Sequence, residues 1–249
     1  PWLVDLGTGG VPTMRGDTAR EDLLARAGTS TAALSGRPKS QAMEVVADAA
    51  TEVLLELMEE RSGLGGVIAV GGGQGTWLAS TVMRGLPLGL PKVMVTSIAH
   101  RAALHVQSSD IIVFPSVTDV AGLNRILRRT LDNAAAAVAG MVPGALDESA
   151  PDGPAVAMTM FGVTTAGGEV ARRVLEAAGY EVAVFHANGP GGAAMESLVR
   201  SGTFDGVLDW TTTELADELV GGIASAGPAR LEAAGAAGLP QVVAPGALD

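Results

Sequence analysis

Residues 67–80, VIAVGGGQGTWLAS, decide the fold, because an apolar strand runs directly into a glycine-rich turn and then into the start of a helix. Residues 67–70 are β-favouring or small and apolar, which is typical of a strand that is buried on both faces. The glycines that follow permit backbone angles that other residues avoid. Thr76 is expected to cap the helix that comes next. The stretch therefore predicts a strand, turn and helix unit of an α/β fold.

The glycine-rich turn is also the first candidate ligand site. Backbone N–H groups of such a turn point into one concavity, and the partial positive charge at a helix N-terminus favours a phosphate or a carboxylate there. The turn matches neither GxGxxG nor GxxxxGK[ST], so a tight connection that needs glycine only for close packing stays open as an alternative. The predicted ligand contacts of the turn are Gly71, Gly72, Gly73, Gln74, Gly75 and Thr76.

On both sides of this stretch, predicted strands alternate with predicted helices. Parallel strands need crossovers of about a dozen residues or more, so the alternation predicts an α/β fold whose mainly parallel sheets are flanked by helices. Residues 143–154 mix Pro, Gly, Asp, Glu and Ser, and are the predicted linker between a first domain at residues 1–142 and a second at residues 155–249. The strands are predicted at residues 67–70, 92–97, 110–115, 155–161, 181–186, 206–209 and 241–244, with the end of one more within residues 1–10. The helices are predicted at residues 18–27, 41–61, 77–84, 125–141, 169–178, 193–200 and 215–220.

Composition excludes several classes of protein. The formal charge of −11 argues against a general nucleic-acid surface, which needs clustered Lys and Arg. Without cysteine there is no disulfide, thiolate nucleophile or cysteine metal site, and the three histidines lack the spacing of a helical metal pair, so no metal site is predicted. No segment approaches the ~20 continuous apolar residues of a membrane span, and the first residues are not those of a signal peptide. The sequence predicts a soluble, cytoplasmic protein that does not enter a membrane.

Polar turns follow three predicted strands of the second domain, at the edge where open α/β sheets bind ligands. Hydroxyls and backbone N–H groups there can surround a phosphate or a carboxylate, although Thr and Asn are also preferred helix caps. Three such turns in one domain, with a glycine-rich turn in the other, predict a ligand cleft between the domains. The predicted contacts are Thr164, Thr165, Asn188, Gly189, Thr211, Thr212 and Thr213.

Three acid or base side chains are candidates for catalysis. Glu214 follows the Thr-rich turn and is a candidate general base, ribose ligand or magnesium ligand, but an acid in the first turn of a helix is also favoured by the helix dipole. Asp119 has the same two interpretations, and His186 is either an acid/base at a strand end or a structural histidine. Trp77 and Trp210 follow the two best turns, where each either stacks on a purine or packs in the core.

Seven motifs occur together and in order, namely GGxxGT, LPxGxPKxMV, SDI with SVTDVAGLNRI, MFGVTT, VFHANGPGGxAME, TTTELADELVGG and PQVVAPGALD. With these motifs the chain resembles the Tm-one-like ATP-binding family, which includes bacterial relatives of the tomato mosaic virus resistance protein and is otherwise an uncharacterised protein family. The resemblance covers nearly the whole chain from Val4 onward. It implies two Rossmann-like domains with ATP between them, sometimes with a separate TIM-barrel domain. It also implies that an N-terminal strand and the C-terminal part of the second domain are missing from this sequence.

Three hypotheses of function follow. The first is a nucleotide-binding protein, with ATP as the ligand implied by the resemblance, Mg²⁺ as a possible companion and a homo-oligomer as the expected assembly. The second is an enzyme of small-molecule catabolism whose carboxylate or phosphorylated substrate occupies the same turns. The third is a protein-interaction or inhibitor module.

Overall fold

The computed structural model describes residues 1–8, 10, 12, 14–60, 64–142 and 153–248 of the chain. Within it the chain divides into two compact units, Pro1–Leu146 and Asp147–Asp249. The predicted linker at residues 143–154 lies outside the described residues, except for its last two positions. The two units are described separately below.

The first unit is built on a three-stranded parallel sheet with the strand order β1-β2-β3. Met94 of β2 packs with Ala79 and Met83 of α4, whereas its neighbours Val93 and Val95 pack on the side of α6. Because successive side chains of a strand point to opposite faces, α4 and α6 cover opposite faces of the sheet. The strands are β1 (Val67–Gly71), β2 (Lys92–Thr96) and β3 (Ile112–Pro115), and the helices are α1 (Arg20–Arg26), α2 (Thr31–Ser35), α3 (Lys39–Glu60), α4 (Gly73–Arg84), α5 (Ala102–Val106) and α6 (Arg125–Met141).

The second unit is built on a four-stranded parallel sheet with the strand order β5-β4-β6-β7. Ala157 of β4 packs against Met195 and Val199 of α8. The next residue, Met158, points to the other face, where it lies against Gly168 of α7. The strands are β4 (Ala155–Met160), β5 (Glu181–His186), β6 (Gly206–Asp209) and β7 (Gln241–Val243), and the helices are α7 (Thr165–Ala177), α8 (Pro190–Arg200), α9 (Thr213–Val220) and α10 (Glu232–Ala236).

These two parallel sheets with flanking helices confirm the predicted fold class, two Rossmann-like α/β domains. The strand predicted within residues 1–10 is wrong, because the described residues of that range form only an isolated bridge, between Val4 and Thr18. The predicted starts of four helices are also wrong. Helices α4, α7, α8 and α9 begin two to four residues earlier, inside the turns that were expected to precede them. The first N–H groups of a helix have no acceptor within the helix, so glycine and proline are tolerated at these positions.

Candidate functional site

The glycine-rich turn of the first unit forms the start of α4. Gly72 is the N-cap of this helix, and no side chain of the cap accepts a hydrogen bond from the first turn. The N–H groups of Gly73, Gln74 and Gly75 therefore have no acceptor in the part of the chain that the structure describes. They are donors at the carboxyl edge of the sheet, where an anion can bind.

The expectation of unusual backbone angles in this turn is wrong. None of Gly71, Gly72, Gly73 and Gly75 has a positive φ angle. Glycine is needed at the end of β1 for a different reason, because a Cβ atom on Gly71 would lie 2.9 Å from the Cα atom of Gly75. The absence of a side chain lets the strand and the helix approach each other closely.

Thr76 does not cap the helix, because α4 begins three residues before it. Its side chain is buried, and its hydroxyl donates to the carbonyl oxygen of Gly72 at 2.7 Å. The hydroxyl of Thr96 lies 2.5 Å from the hydroxyl of Thr76 and accepts from the N–H of Ile98 at 3.1 Å. This chain of hydrogen bonds joins the end of β2 to the turn, so Thr76 fixes the position of the turn relative to β2.

Ser97 is a site residue that sequence reasoning did not select. It follows β2, and its N–H donates to the carbonyl oxygen of Gly71 at 3.4 Å. A Cβ atom on Gly72 would lie 3.6 Å from its Oγ atom, so the half-buried hydroxyl lies beside the helix N-terminus. The pairing of Gly71 with Thr96 places it there, and the signal in the sequence is its position directly after a buried strand.

The loop after β3 is strained and contains Asp119. The N–H of Thr118 donates to the carbonyl oxygen of Ser116 at 2.7 Å, and Val117 between them has a φ of 65°, which is rare for a β-branched residue. Asp119 is exposed, and its carboxylate accepts from the N–H of Val120 at 2.8 Å. Strain of this kind is concentrated at functional sites. Asp119 therefore keeps its place among the candidates.

Asn124 caps the N-terminus of α6, the helix that covers the other face of this sheet. Its Oδ1 atom accepts from the N–H groups of Ile126 and Leu127, each at 3.0 Å. Its Nδ2 atom donates to the hydroxyl of Thr118 at 3.0 Å. Asn124 therefore caps α6, which distinguishes the start of this helix from that of α4.

In the second unit, most of the predicted threonine hydroxyls are used inside the fold. The hydroxyls of Thr164 and Thr211 lie 2.5 Å apart, and the hydroxyl of Thr212 donates to the carbonyl oxygen of Ala244 at 3.1 Å. Thr211 and Thr212 are buried, Thr213 is half-buried and Thr165 is exposed. These bonds fasten the loops after β4, β6 and β7 to one another.

Glu214 is fully buried, and its carboxylate occupies the N-terminus of α8. Its Oε1 atom accepts from the N–H of Gly189 at 2.7 Å and from the N–H of Gly192 at 3.1 Å. Gly189 has a φ of 95°, and a Cβ atom on Gly192 would overlap the carboxylate. An acidic side chain of the protein thus takes the place that the sequence assigned to a ligand anion. Exposed beside it, Asn188 accepts from the N–H of Gly191 at 3.4 Å.

A buried guanidinium holds this carboxylate. Arg230 donates from Nε to Glu214 at 2.8 Å, from Nη1 to Glu196 at 3.1 Å and from Nη2 to Asp209. Burial alone would lower the pKa of Arg230, but the carboxylates of Asp209 and Glu214 outweigh it and raise the pKa above its ordinary value. We call these four side chains the ion cluster.

The ion cluster also accepts hydrogen bonds from backbone N–H groups at the start of a second helix. Glu196 accepts from the N–H groups of Leu231 and Ala233 at 2.8 Å and 2.9 Å, at the beginning of α10. Leu231 has a φ of 77°, which is a strained angle for leucine. Asp209 accepts from the side chain of Gln241 at 2.9 Å. Sequence reasoning missed Glu196, Asp209 and Arg230, because no local pattern marks residues that meet only in the folded unit.

His186 is exposed at the end of β5, and its ring centroid lies 5.3 Å from that of Phe161. No group of three or more His, Cys, Asp or Glu side chains in the described ranges is arranged to hold a metal ion. In the same ranges, no helix combines the length and the apolar character needed to cross a membrane.

Comparison with known proteins gives the family. The N-terminal domain of the uncharacterised protein family UPF0261 matches residues 1–147, and its C-terminal domain matches residues 153–249. A UPF0261 protein of Clostridium tetani is 45% identical over 99% of this chain, and one of Rhizobium meliloti is 43% identical over 100% of it. The chain spans 61% of the length of each of these relatives. The ToMV resistance protein Tm-1(GCR237) of Solanum lycopersicum is 43% identical over 80% of this chain, which covers 27% of that protein. These matches confirm the resemblance drawn from the motifs: the chain belongs to the uncharacterised protein family UPF0261, together with the Tm-one-like proteins of tomato.

Proposed function

We propose that this protein binds a nucleotide, with ATP as the first candidate, and that the phosphates bind at the N-terminus of α4. The observation that carries the proposal is the difference between three helix starts. Asn124 and Glu214 supply acceptors to α6 and α8, whereas at α4 no side chain of the described residues accepts from the N–H groups of the first turn. An external anion is the natural acceptor for the free N–H groups.

The surroundings of the turn fit a phosphate. A Cβ atom on Gly73 would meet nothing within 4 Å, so the turn opens onto free space. Ser97 offers a hydroxyl beside the N–H groups, and the side chain of Gln74 is exposed in the first turn of the helix. Hydroxyl, amide and backbone N–H donors together suit phosphate oxygens. The choice of ATP over other nucleotides rests on the family resemblance, and Mg²⁺ would come with the phosphates.

Replacing Gly72 by aspartate tests the proposal. Aspartate is a preferred N-cap, so its carboxylate is expected to take the free N–H groups of α4 as Glu214 takes those of α8. The Gly72→Asp protein should therefore fold at least as stably as the wild type and lose ATP binding. The Gly72→Ala protein is the matched control, because it adds a Cβ atom without an anion. Isothermal titration with ATP and ADP measures both variants.

Two results would contradict the proposal. If the wild-type protein binds neither nucleotide at millimolar concentration, it is not a nucleotide-binding protein. If the Gly72→Asp protein binds ATP as tightly as the Gly72→Ala protein, the phosphates lie elsewhere. That one ligand contacts both units, and that the protein is a homo-oligomer, stay predictions from the sequence.

One observation favours the second candidate, an enzyme acting on an anionic small molecule. The strained turn at Val117 holds the exposed carboxylate of Asp119 at the same sheet edge as the start of α4. Backbone strain beside an acid is common in catalytic sites. Mass spectrometry of ligands that purify with the protein separates the two candidates, because a carboxylic acid without adenine would favour the enzyme.

A further inference from the structure

The second unit has an open depression at the carboxyl edge of its sheet, between the start of α7 and the segment after β7. Its volume is about 340 Å³. This is at the low end of the roughly 300–1,000 Å³ that small-molecule sites span. The residues that line it include Val163, Thr164, Gly167, Trp210, Pro245 and Gly246.

The indole of Trp210 has a fixed orientation in this depression. Its Nε1 atom donates to the carbonyl oxygen of Thr164 at 3.1 Å. A Cβ atom on Gly167 would lie 2.7 Å from Cζ2 of the indole, so the ring rests directly on the first turn of α7. The side chain is half-buried. A ring held on one side by a helix and at its polar atom by a hydrogen bond is preorganised for stacking on another ring.

Thr212 forms hydrogen bonds with two backbone carbonyl groups of the segment after β7, which lines the depression. Its N–H donates to the carbonyl oxygen of Gly246 at 3.1 Å, and its hydroxyl donates to that of Ala244 at 3.1 Å. Pro245 between them has no N–H group and is exposed. On the opposite rim, the side chain of Val163 is 80% exposed. An apolar rim around an aromatic ring thus faces the open side.

We propose that this depression binds a planar aromatic ring, such as a nucleobase, by stacking beside Trp210. The inference rests on the proposed function for the identity of the ring, but it uses a different part of the chain from the phosphate turn. Stacking of a base on an aromatic side chain accepts any base, because every base has a π-face. The depression therefore adds affinity for the ring and contributes little to the choice among purines.

The experiment measures adenosine, ATP and inorganic triphosphate separately by titration. In the Trp210→Leu protein we expect adenosine and ATP to bind about 5- to 150-fold more weakly, the range expected for the loss of one aromatic stacking contact, with triphosphate binding unchanged. Because Trp210 also contacts α7, the Val163→Glu protein provides a second test at an exposed position and should weaken adenosine in the same way. The Val174→Glu protein is its matched control, since Val174 is 63% exposed on α7 and does not line the depression.

The outcomes separate this inference from the proposed function. Weaker adenosine binding in both the Trp210→Leu and Val163→Glu proteins, with Val174→Glu like the wild type, supports the inference. If the wild type binds ATP and both variants keep that affinity, the depression does not hold the base, while nucleotide binding stands. Binding of triphosphate without any affinity for adenosine also overturns the inference. If none of the three ligands binds to the wild type, both proposals fail.

Discussion

Replacing Glu214 by glutamine is expected to destabilise the second unit strongly, because it removes one charge from the buried ion cluster. The carboxylate accepts from Arg230 at 2.8 Å, from Gly189 at 2.7 Å and from Gly192 at 3.1 Å. Glutamine keeps the size of the side chain and one carbonyl oxygen, which can still accept from the two glycine N–H groups. Its NH₂ group then faces the Nε–H of Arg230, so two donors meet where a donor and an acceptor met before.

The size of the effect follows from the burial of the partners. Removing one member of a buried ion pair typically costs about 3–5 kcal/mol, because the other charge is left without compensation. Arg230 keeps Asp209 and Glu196 as partners, which places the expected loss near the lower end, at about 3 kcal/mol. For a unit of this size, such a loss lowers the melting temperature by roughly 12–24 °C.

Urea unfolding followed by circular dichroism measures the free energy of unfolding of the wild type and the Glu214→Gln protein. The matched control is Glu169→Gln, the same chemical change on α7 at an exposed pair with Arg172. Exposed pairs contribute about 0.2–1 kcal/mol, so this control should lose at most that amount. If both substitutions lower the free energy of unfolding equally, the charge of Glu214 does not stabilise the second unit through the ion cluster.

Two further predictions concern the packing around α8 and the pair formed by Lys92 and Asp110. Gly192→Ala should destabilise the second unit by about 1–3 kcal/mol, because its Cβ atom would overlap Glu214. Gly235→Ala is the control and should not destabilise the unit, because its Cβ atom would meet nothing within 4 Å. Equal melting temperatures of the two variants would contradict this prediction. Burial alone would raise the pKa of Asp110, but hydrogen bonds from Lys92 and Gly89 outweigh it and hold the pKa below its usual value. This carboxylate therefore stabilises the fold at a pH above its unfolded pKa, and the stabilisation is lost as the pH falls through its folded pKa. Asp110→Asn should therefore lower the free energy of unfolding at about pH 7, and the loss should shrink as the pH falls below the unfolded pKa of about 3.9. A pH-independent difference in urea unfolding would exclude this cause.

The strands β1 to β7 and their parallel direction were predictable from the sequence, because each is a short apolar run that is separated from the next by a connection long enough for a crossover. The helix starts were not. At α4 and α8 the sequence rule treats Gly73 and Pro190 as breakers, yet both residues lie in first turns, where no N–H group needs an acceptor within the helix. At both sites the helix start lies close against the end of the strand before it, since a Cβ atom on Gly71 would lie 2.9 Å from Gly75 and one on Gly191 would overlap the carbonyl oxygen of His186.

The ion cluster could not be predicted for a different reason. Arg230 meets Glu214, Asp209 and Glu196 across separations of 16, 21 and 34 residues. Its contacts exist only once β6, α8 and α9 are assembled, and no periodic pattern records them. The sequence did suggest that Glu214 serves a helix dipole, but it named the wrong helix. The residue lies in the first turn of α9, and its carboxylate reaches the first turn of α8.

The same strand-turn-helix pattern is thus used differently in the two units. At α8 the anion at the helix start is a side chain of the protein, whereas at α4 we propose an external anion. At α8, a phosphate would have to displace a carboxylate that is fully buried and paired with Arg230, which would leave the charge of Glu214 without its partners in the interior. An attached acid also binds without the entropy cost that a free ligand must meet. At α4, no acid among the residues that the structure describes caps the helix, and the adjacent Ser97 hydroxyl lies at the same edge. The turn ANGPGG at residues 187–192 is therefore the weaker ligand candidate, and the turn at residues 71–76 is the stronger one.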